Sequence, residues 1–323
     1  MFRIDRRISH IFFNTLFISG LVGPWPAHAL DPSDFFFRQK ISFTNYNRAE
    51  VLTNFPVLIR FDAASSEIHG GAVSSLGYDI RFTDASQSNE IPFELESWDP
   101  DGESIVWVRH PALASNRCIY AYWGNPADTN LPPYAVDGST WSDGFVAVHH
   151  LSETGGLVAD DATANNLNGN LGNMNGSEWT PGRVGNGLSF NGVNQFYDMA
   201  DIGAFFGANA ATMNVWVKLD LATPIDPART GFMSLGTGSN NHYPWVDGLT
   251  YQNVWRNNAR VEGIALLPSV DRTTWHQITI TSETGGSGLW RMYQNGVEIR
   301  NVGGLAFLWR DCAICCVRRP CCV

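Results

Sequence analysis

The sequence predicts an all-β protein of two tandem sandwich domains, and three observations carry that prediction. Asn-Gly or Asp-Gly occurs nine times, at Asp101, Asp137, Asp143, Asn168, Asn175, Asn186, Asn191, Asp247 and Asn295. Between apolar runs this dipeptide is the strongest short-range hairpin signal, because both central positions of a type I′ turn need φ > 0. Apolar residues alternate with a period of two: Met213, Val215, Val217 and Leu219 share one face, while Asn214 and Lys218 point the other way. No helical periodicity runs beyond a turn or two, and many short strands with frequent turns indicate sandwiches or jelly rolls.

The first element is a leader. Arg3, Arg6 and Arg7 precede the apolar run Ile11–Val22, Gly23-Pro-Trp-Pro26 breaks any helix, and Ala27-His-Ala29 has the small-x-small pattern of a signal-peptidase site. A twelve-residue run is short of the roughly 20 that span a bilayer, so residues 1–29 are expected to be cleaved and the protein exported to the periplasm, envelope or medium. Retention of this segment as an anchor is the alternative.

The first domain is expected over residues 30–135. Its strands include Val57–Phe61, Ile105–Val108 and Ile119–Trp123. Glu94 and Glu96 in Phe93-Glu-Leu-Glu-Ser-Trp98 lie two apart and therefore on one face. Paired carboxylates on a sandwich are the machinery of a glycoside hydrolase. The jelly-roll glucanase pattern has an Asp between its two Glu, and this segment does not. The simpler expectation is a half-exposed strand showing Glu94 and Glu96 to water and Phe93 and Leu95 to the core. Leu131-Pro-Pro-Tyr-Ala-Val-Asp137, whose prolines interrupt a ladder, marks the boundary.

The second domain is expected over residues 140–308. His149-His150 is read on a strand, where neighbours point to opposite faces and cannot share one metal. Asp160-Asp-Ala-Thr-Ala-Asn-Asn-Leu-Asn-Gly169 is dense in oxygen ligands, and Asp161, Thr163 and Asn165 are candidates to hold a structural Ca²⁺, which takes six to eight oxygens. The same residues also form turns by accepting local backbone bonds. Further strands are Met213–Leu219, Trp275–Thr281 and Leu289–Tyr293. Tyr243, Trp245, Tyr251, Trp255 and Arg256, beside several Asn, are candidate ligand-binding residues. Aromatic faces next to polar donors suit a sugar ring, a protein interface or simply a core.

Cys118 stands alone in the body, whereas Cys312, Cys315, Cys316, Cys321 and Cys322 crowd the end. Disulfide frameworks spread their cysteines between elements, and a zinc knuckle wants longer spacing and often His. The abrupt change of composition at Trp309 is read as sequence outside the fold (a frameshift or truncated gene), so residues 309–323 form a tail and the second domain ends short of a closing strand.

The chain carries a formal charge of −10 with 44 % hydrophobic and 16 % charged residues. The acidity argues against nucleic acid and anionic membrane surfaces as partners, and the apolar content against disorder. No Gly-x-Ser-x-Gly elbow, His-Glu-x-x-His helix, phosphate loop or dinucleotide fingerprint occurs.

Tyr78-Asp-Ile-Arg-Phe-Thr-Asp84, Ile91-Pro-Phe-Glu-Leu-Glu96 with Trp98, Val106-Trp-Val108, Pro111 and Ile119-Tyr-Ala-Tyr-Trp-Gly-Asn-Pro126 come in the order and spacing of domain-of-unknown-function family 2341, which the first domain resembles. That resemblance implies an exported, multidomain protein and no known chemistry. Val148-His-His-Leu-Ser-Glu153, Asp161–Gly169, Gly187-Leu-Ser-Phe-Asn-Gly192, Val215-Trp-Val-Lys-Leu219, Trp275-His276 and Tyr293-Gln-Asn-Gly-Val297 resemble a concanavalin A-like jelly roll of the laminin-G type. That resemblance implies glycan or protein binding, often with structural calcium, and no catalytic residue of the wider superfamily maps onto this chain. The expected function is therefore a non-catalytic binding or surface-structural protein, with a glycoside hydrolase as the alternative and a purely architectural envelope segment as a third reading.

Overall fold

A computed structural model describes residues 30–62, 67–199, 211–218, 274–282 and 290–302, with short strands at 230–231, 245–247, 250–252, 255–256 and 259–260. The leader 1–29 and the Cys-rich tail 309–323 lie outside the described residues. The protein is all-β, built of several antiparallel sheets, with one five-residue helix and three single turns of 3-10 helix among the described residues. No helix among them is long and apolar enough to cross a membrane. Chain packing divides these residues into two units, one comprising 30–148 with 162–164 and the other 149–161 with the residues from 165 onward.

The first unit contains β1 (Phe37–Ser42), β2 (Leu52–Phe61), α1 (Glu67–Gly71), β3 (Arg81–Thr83), β4 (Phe93–Ser97), β5 (Ser104–Leu113) and β6 (Cys118–Trp123). They form two three-stranded sheets, β1-β6-β3 and β2-β5-β4. Ring contact between Phe82 of β3 and Phe93 of β4, centroids 5.3 Å apart, joins the two sheets across a core that also takes Ile41, Ile59, Val106, Val108 and Ile119. Each large apolar side chain so buried contributes about 1.5–3 kcal/mol.

β5 is buried on both faces from Ser104 through Val108, more than a sandwich strand requires. The reason is the segment after Pro132. Its two 3-10 turns, Pro133–Ala135 and Ser139–Trp141, lie over β4 and β5, with Tyr134, Ala135, Ser139, Thr140 and Trp141 all buried. Residues read as an inter-domain stretch from their prolines thus pack as part of the first unit.

The second unit contains β7 (Val158–Ala159), β8 (Gly169–Gly172), β9 (Trp179–Pro181), β10 (Asn186–Leu188), β11 (Phe196–Met199), β12 (Ala211–Val217), β13 (Thr230–Gly231), β14 (Trp245–Asp247), β15 (Thr250–Gln252), β16 (Trp255–Arg256), β17 (Ala259–Arg260), β18 (His276–Ser282), β19 (Trp290–Gln294) and β20 (Val297–Val302). Its main sheet has the order β12-β18-β19-β20; β11-β8-β7 and β13-β14-β15 are three-stranded, and β10-β9 and β16-β17 are pairs. Met213, Ile278, Ile280 and Met292 bury one face of the main sheet, as the alternation in β12 predicted.

The turn signal fares differently. Of the eight Asx-Gly dipeptides in the described residues, Asn295-Gly296 alone has both φ values positive, 51° and 77°, and it joins β19 to β20. Asn168-Gly169 and Asn186-Gly187 run into strands instead. Gly169 is needed there because the Tyr197 ring lies directly on it, where a Cβ would collide. His149-His150 also departs from expectation, since residues 145–150 are in no strand. The Val146 and Val148 carbonyls accept from Thr163 Oγ1 (3.2 Å) and the Ala162 amide (2.8 Å) rather than from a ladder.

Candidate functional site

Polar residues concentrate in the first unit around β3 and β4. Asp79 is fully buried, and its carboxylate accepts three backbone N–H bonds, from Val73 (2.9 Å), Ser74 (3.0 Å) and Gly124 (2.8 Å). Gly124 has φ 88°, and a side chain there would strike Phe37, so the amide reaches Asp79 only because the residue is glycine. Charged acceptors for backbone N–H groups give strong bonds, and three of them leave Asp79 committed to tying the loop after α1 to the end of β6.

Arg81 does the same for carbonyls. Its Nη1 donates to Tyr78 O at 2.8 Å and Ile80 O at 2.7 Å, and its Nη2 lies 3.0 Å from Asp128. Burial outweighs the Arg81 charge at Asp128 and holds that carboxyl above its ordinary range. Tyr134 OH donates to Glu90 at 2.6 Å, and burial together with that carboxylate pushes the phenol upward. These groups close on one another and on backbone, which leaves none of them presented to a substrate.

Glu94 and Glu96 are half-buried, not solvent-facing, and Leu95 is only half-buried rather than in the core. Trp141 Nε1 donates to Glu94, and Trp107 Nε1 donates to Glu96 at 2.9 Å. The two indoles meet edge to face at 5.1 Å. Register explains the change: Glu94 lies opposite Trp107, the ladder shifts between Leu95 and Ser97, and Trp141 comes down over both. Arg109 Nη1, on the same strand as Trp107, donates to Ser139 O at 2.9 Å and to Ser142 Oγ. Burial pulls the Arg109 guanidinium below its ordinary value. Glu94 therefore acts as an acceptor that seats the 133–142 segment, and Glu96 holds the Trp107 indole of β5 against which Trp141 packs.

Two histidines of this unit are structural. His110 is buried, accepts the Ala112 amide at Nδ1 (3.1 Å) and meets Phe43 edge to face at 4.9 Å; burial first, and Arg117 second, pull it down to about 4. His69 Nε2 lies 2.8 Å from the buried Ser104 Oγ, which also takes the Asp99 amide at 2.9 Å. A serine without exposure, spent on a turn, is no nucleophile.

The sequence-predicted residues of the second domain fall as follows. Asp161 is buried; its Oδ2 accepts the Leu167 amide at 2.9 Å, and its own amide donates to Asn168 Oδ1 at 2.9 Å. Thr163 is buried, counts with the first unit and donates to Val146 O, while Asn165 is exposed. Asp161 and Thr163 thus close backbone turns, and no group of three or more His, Cys, Asp or Glu among the described residues is arranged to hold a metal ion. His149 Nδ1 lies 2.7 Å from Tyr197 OH, and burial lowers its basicity. Tyr243 lies outside the described residues. Trp245 pairs with Gln252 and Tyr251 with Val246 in one ladder, whereas Trp255 and Arg256 pair with Arg260 and Ala259 in another.

Sequence reading missed the Asp79 and Arg81 networks because their partners lie up to 45 and 49 residues away. The cue was a buried-strand pattern interrupted by two charges, Asp79 and Arg81, that nothing local could neutralise.

No curated protein and no solved structure matches the chain. One family does: Domain of unknown function (DUF2341) matches residues 76–139, a span that starts just before Asp79 and ends in the segment carrying Tyr134 and Ser139.

Proposed function

We propose that this is an exported, non-catalytic binding or surface-structural protein, with a first unit that is scaffold and a second unit that recognises glycans or protein partners. The observation that carries the reading is the use made of the paired carboxylates: Glu94 and Glu96 each hold an indole N–H. A retaining glycosidase needs one such carboxylate free to attack and the other free to deliver a proton, about 5–5.5 Å apart across an open bond. Export is supported by the leader pattern, whose expected cleavage point comes just before Leu30, a buried residue that donates its amide to Ser88 O at 3.2 Å. The second unit is taken as a laminin-G-type jelly roll on its sequence resemblance, and the Asp161 loop is kept as a proposed structural calcium site.

Glycan-array and pull-down screens of the full mature chain test this. Selective retention of a glycan or an extracellular protein is expected. Hydrolysis of a polysaccharide that disappears in Glu94→Gln would overturn it in favour of a glycoside hydrolase.

A further inference from the structure

Each sheet of the first unit has two edge strands, and the four edges are treated unequally. β3 is closed by its Thr83–Glu90 bridge and by the Ile91 amide, which donates to Phe82 O at 3.0 Å. β4 packs against the turns at Pro133–Ala135 and Ser139–Trp141. β2 exposes one of its ten residues, Thr53, and carries Pro56, which has no N–H to offer. β1 exposes four of its six, Phe37, Arg38, Lys40 and Ser42, and none of the described strands pairs with its outer side.

The register with β6 sorts the β1 side chains. Phe37, Gln39 and Ile41 lie opposite the buried Trp123, Ala121 and Ile119 on the core face, whereas Arg38 and Lys40 lie opposite Tyr122 and Tyr120 on the other. Phe37 stacks on Trp123 with centroids 5.6 Å apart and still stays 39 % exposed, and Phe36 just before it is 74 % exposed. Arg38 lies over the Tyr120 ring and donates to Gln87 through Nη1, which leaves further N–H donors on its guanidinium. Basic residues on an edge guard against self-association, and these do so. Self-pairing centred on Gln39 would oppose Arg38 to Lys40 of the copy, and self-pairing centred on Lys40 would oppose Lys40 to itself. Two exposed phenyl rings at the head of the same edge are no guard, because they offer apolar surface to whatever docks there.

We propose that β1 takes up an extended segment of a partner protein as an added strand, with acidic residues opposite Arg38 and Lys40 and apolar residues opposite Phe37, Gln39 and Ile41. Main-chain bonds along the open edge supply affinity, and the alternating side chains supply selection. The strand holds two cations and no acid on a chain of net −10, so charge directs an acidic segment to it rather than a second copy. β1 lies ahead of the matched span 76–139, and this docking role is separate from recognition by the second unit.

The test is fluorescence polarisation of the full mature chain with a dye-labelled octapeptide of alternating Val and Glu. Its controls are the octapeptide of alternating Val and Lys and the Val–Glu peptide N-methylated at every residue. The Val–Glu peptide should bind and weaken as salt screens its carboxylates, and neither control should bind. Lys40→Ala should weaken it about fivefold at low salt and Lys40→Arg should preserve it. Lys40 is exposed, so both variants should melt like wild type, and a loss of binding is then not a loss of fold. Equal binding of the Val–Lys peptide overturns the acidic assignment, and binding of the N-methylated peptide overturns strand addition. Binding untouched by Lys40→Ala, binding of no peptide, or a wild-type dimer in sedimentation that a proline at Gln39 or Lys40 dissolves would each end this inference, and none of them bears on the glycan array.

Discussion

The first unit and the main sheet of the second treat polar side chains in opposite ways. In the first, Asp79, Arg81, Glu90, Glu94 and Glu96 turn inward or sideways and meet a backbone group or an aromatic N–H or O–H donor. In the second, Asn214, Gln277, Thr279 and Arg291 line one face, with an amide donor among them that nothing satisfies. The contrast teaches that the segment richest in recognisable motif is the one whose charges are already used up.

The comparison breaks most visibly at Asp79. Asp79→Ala removes a buried acceptor from three backbone N–H groups, each worth about 1.5–3 kcal/mol to a charged partner, so a loss of about 5 kcal/mol is expected. That approaches the whole stability of a domain, and urea unfolding should show the first unit largely melted in water. Retention of a wild-type transition would remove the scaffold argument for the matched segment.

Trp141→Ala comes next, at about 3–5 kcal/mol, because it deletes a buried indole together with its bond to Glu94. The same change checks whether residues 136–148 belong to the first unit. If they do, the first unfolding transition moves and the second does not.

Acid should sharpen the same contrast through His110. Its folded value of about 4 lies below the ordinary 6.5, so the unfolded chain binds the proton first. Stability is complete above about pH 6.5 and is lost as the pH falls toward 4, by about 3 kcal/mol in all. His110→Gln should flatten that part of the pH profile of the first transition. A slope unchanged in the variant would assign it to the carboxylates instead.

Smallest is the calcium effect. An ion at the Asp161 loop adds RT ln(1 + [L]/Kd), about 2.7 kcal/mol at a hundredfold excess over Kd, to the unit that holds Asp161 and Asn165. EDTA should then lower that transition, and an unchanged melting temperature removes the ion.

The strands were legible because alternation is a local signal. Val57–Phe61, Ile105–Val108 and Ile119–Trp123 fall within observed strands, and β12 takes in Met213–Val217 of the expected Met213–Leu219, whose last residue lies outside the described residues. Turn chemistry was legible only in part: glycine at 169 serves the Tyr197 ring rather than a turn, and no neighbour in sequence announces that ring. The roles of Glu94 and Glu96 were hidden for a similar reason, since Trp141 reaches Glu94 from 47 residues away. The polar face around Gln277 needed the β12–β18 register, because Asn214 and Lys218 on one strand show a polar side but not what stands opposite.

The most direct test of the division of labour is to measure melting and glycan-array retention side by side in the wild type and Glu94→Ala. Glu94→Ala should lower the first transition by about 2 kcal/mol and leave retention intact. Lost retention in a fully stable Glu94→Ala would place the ligand on the first unit's carboxylates and contradict the account.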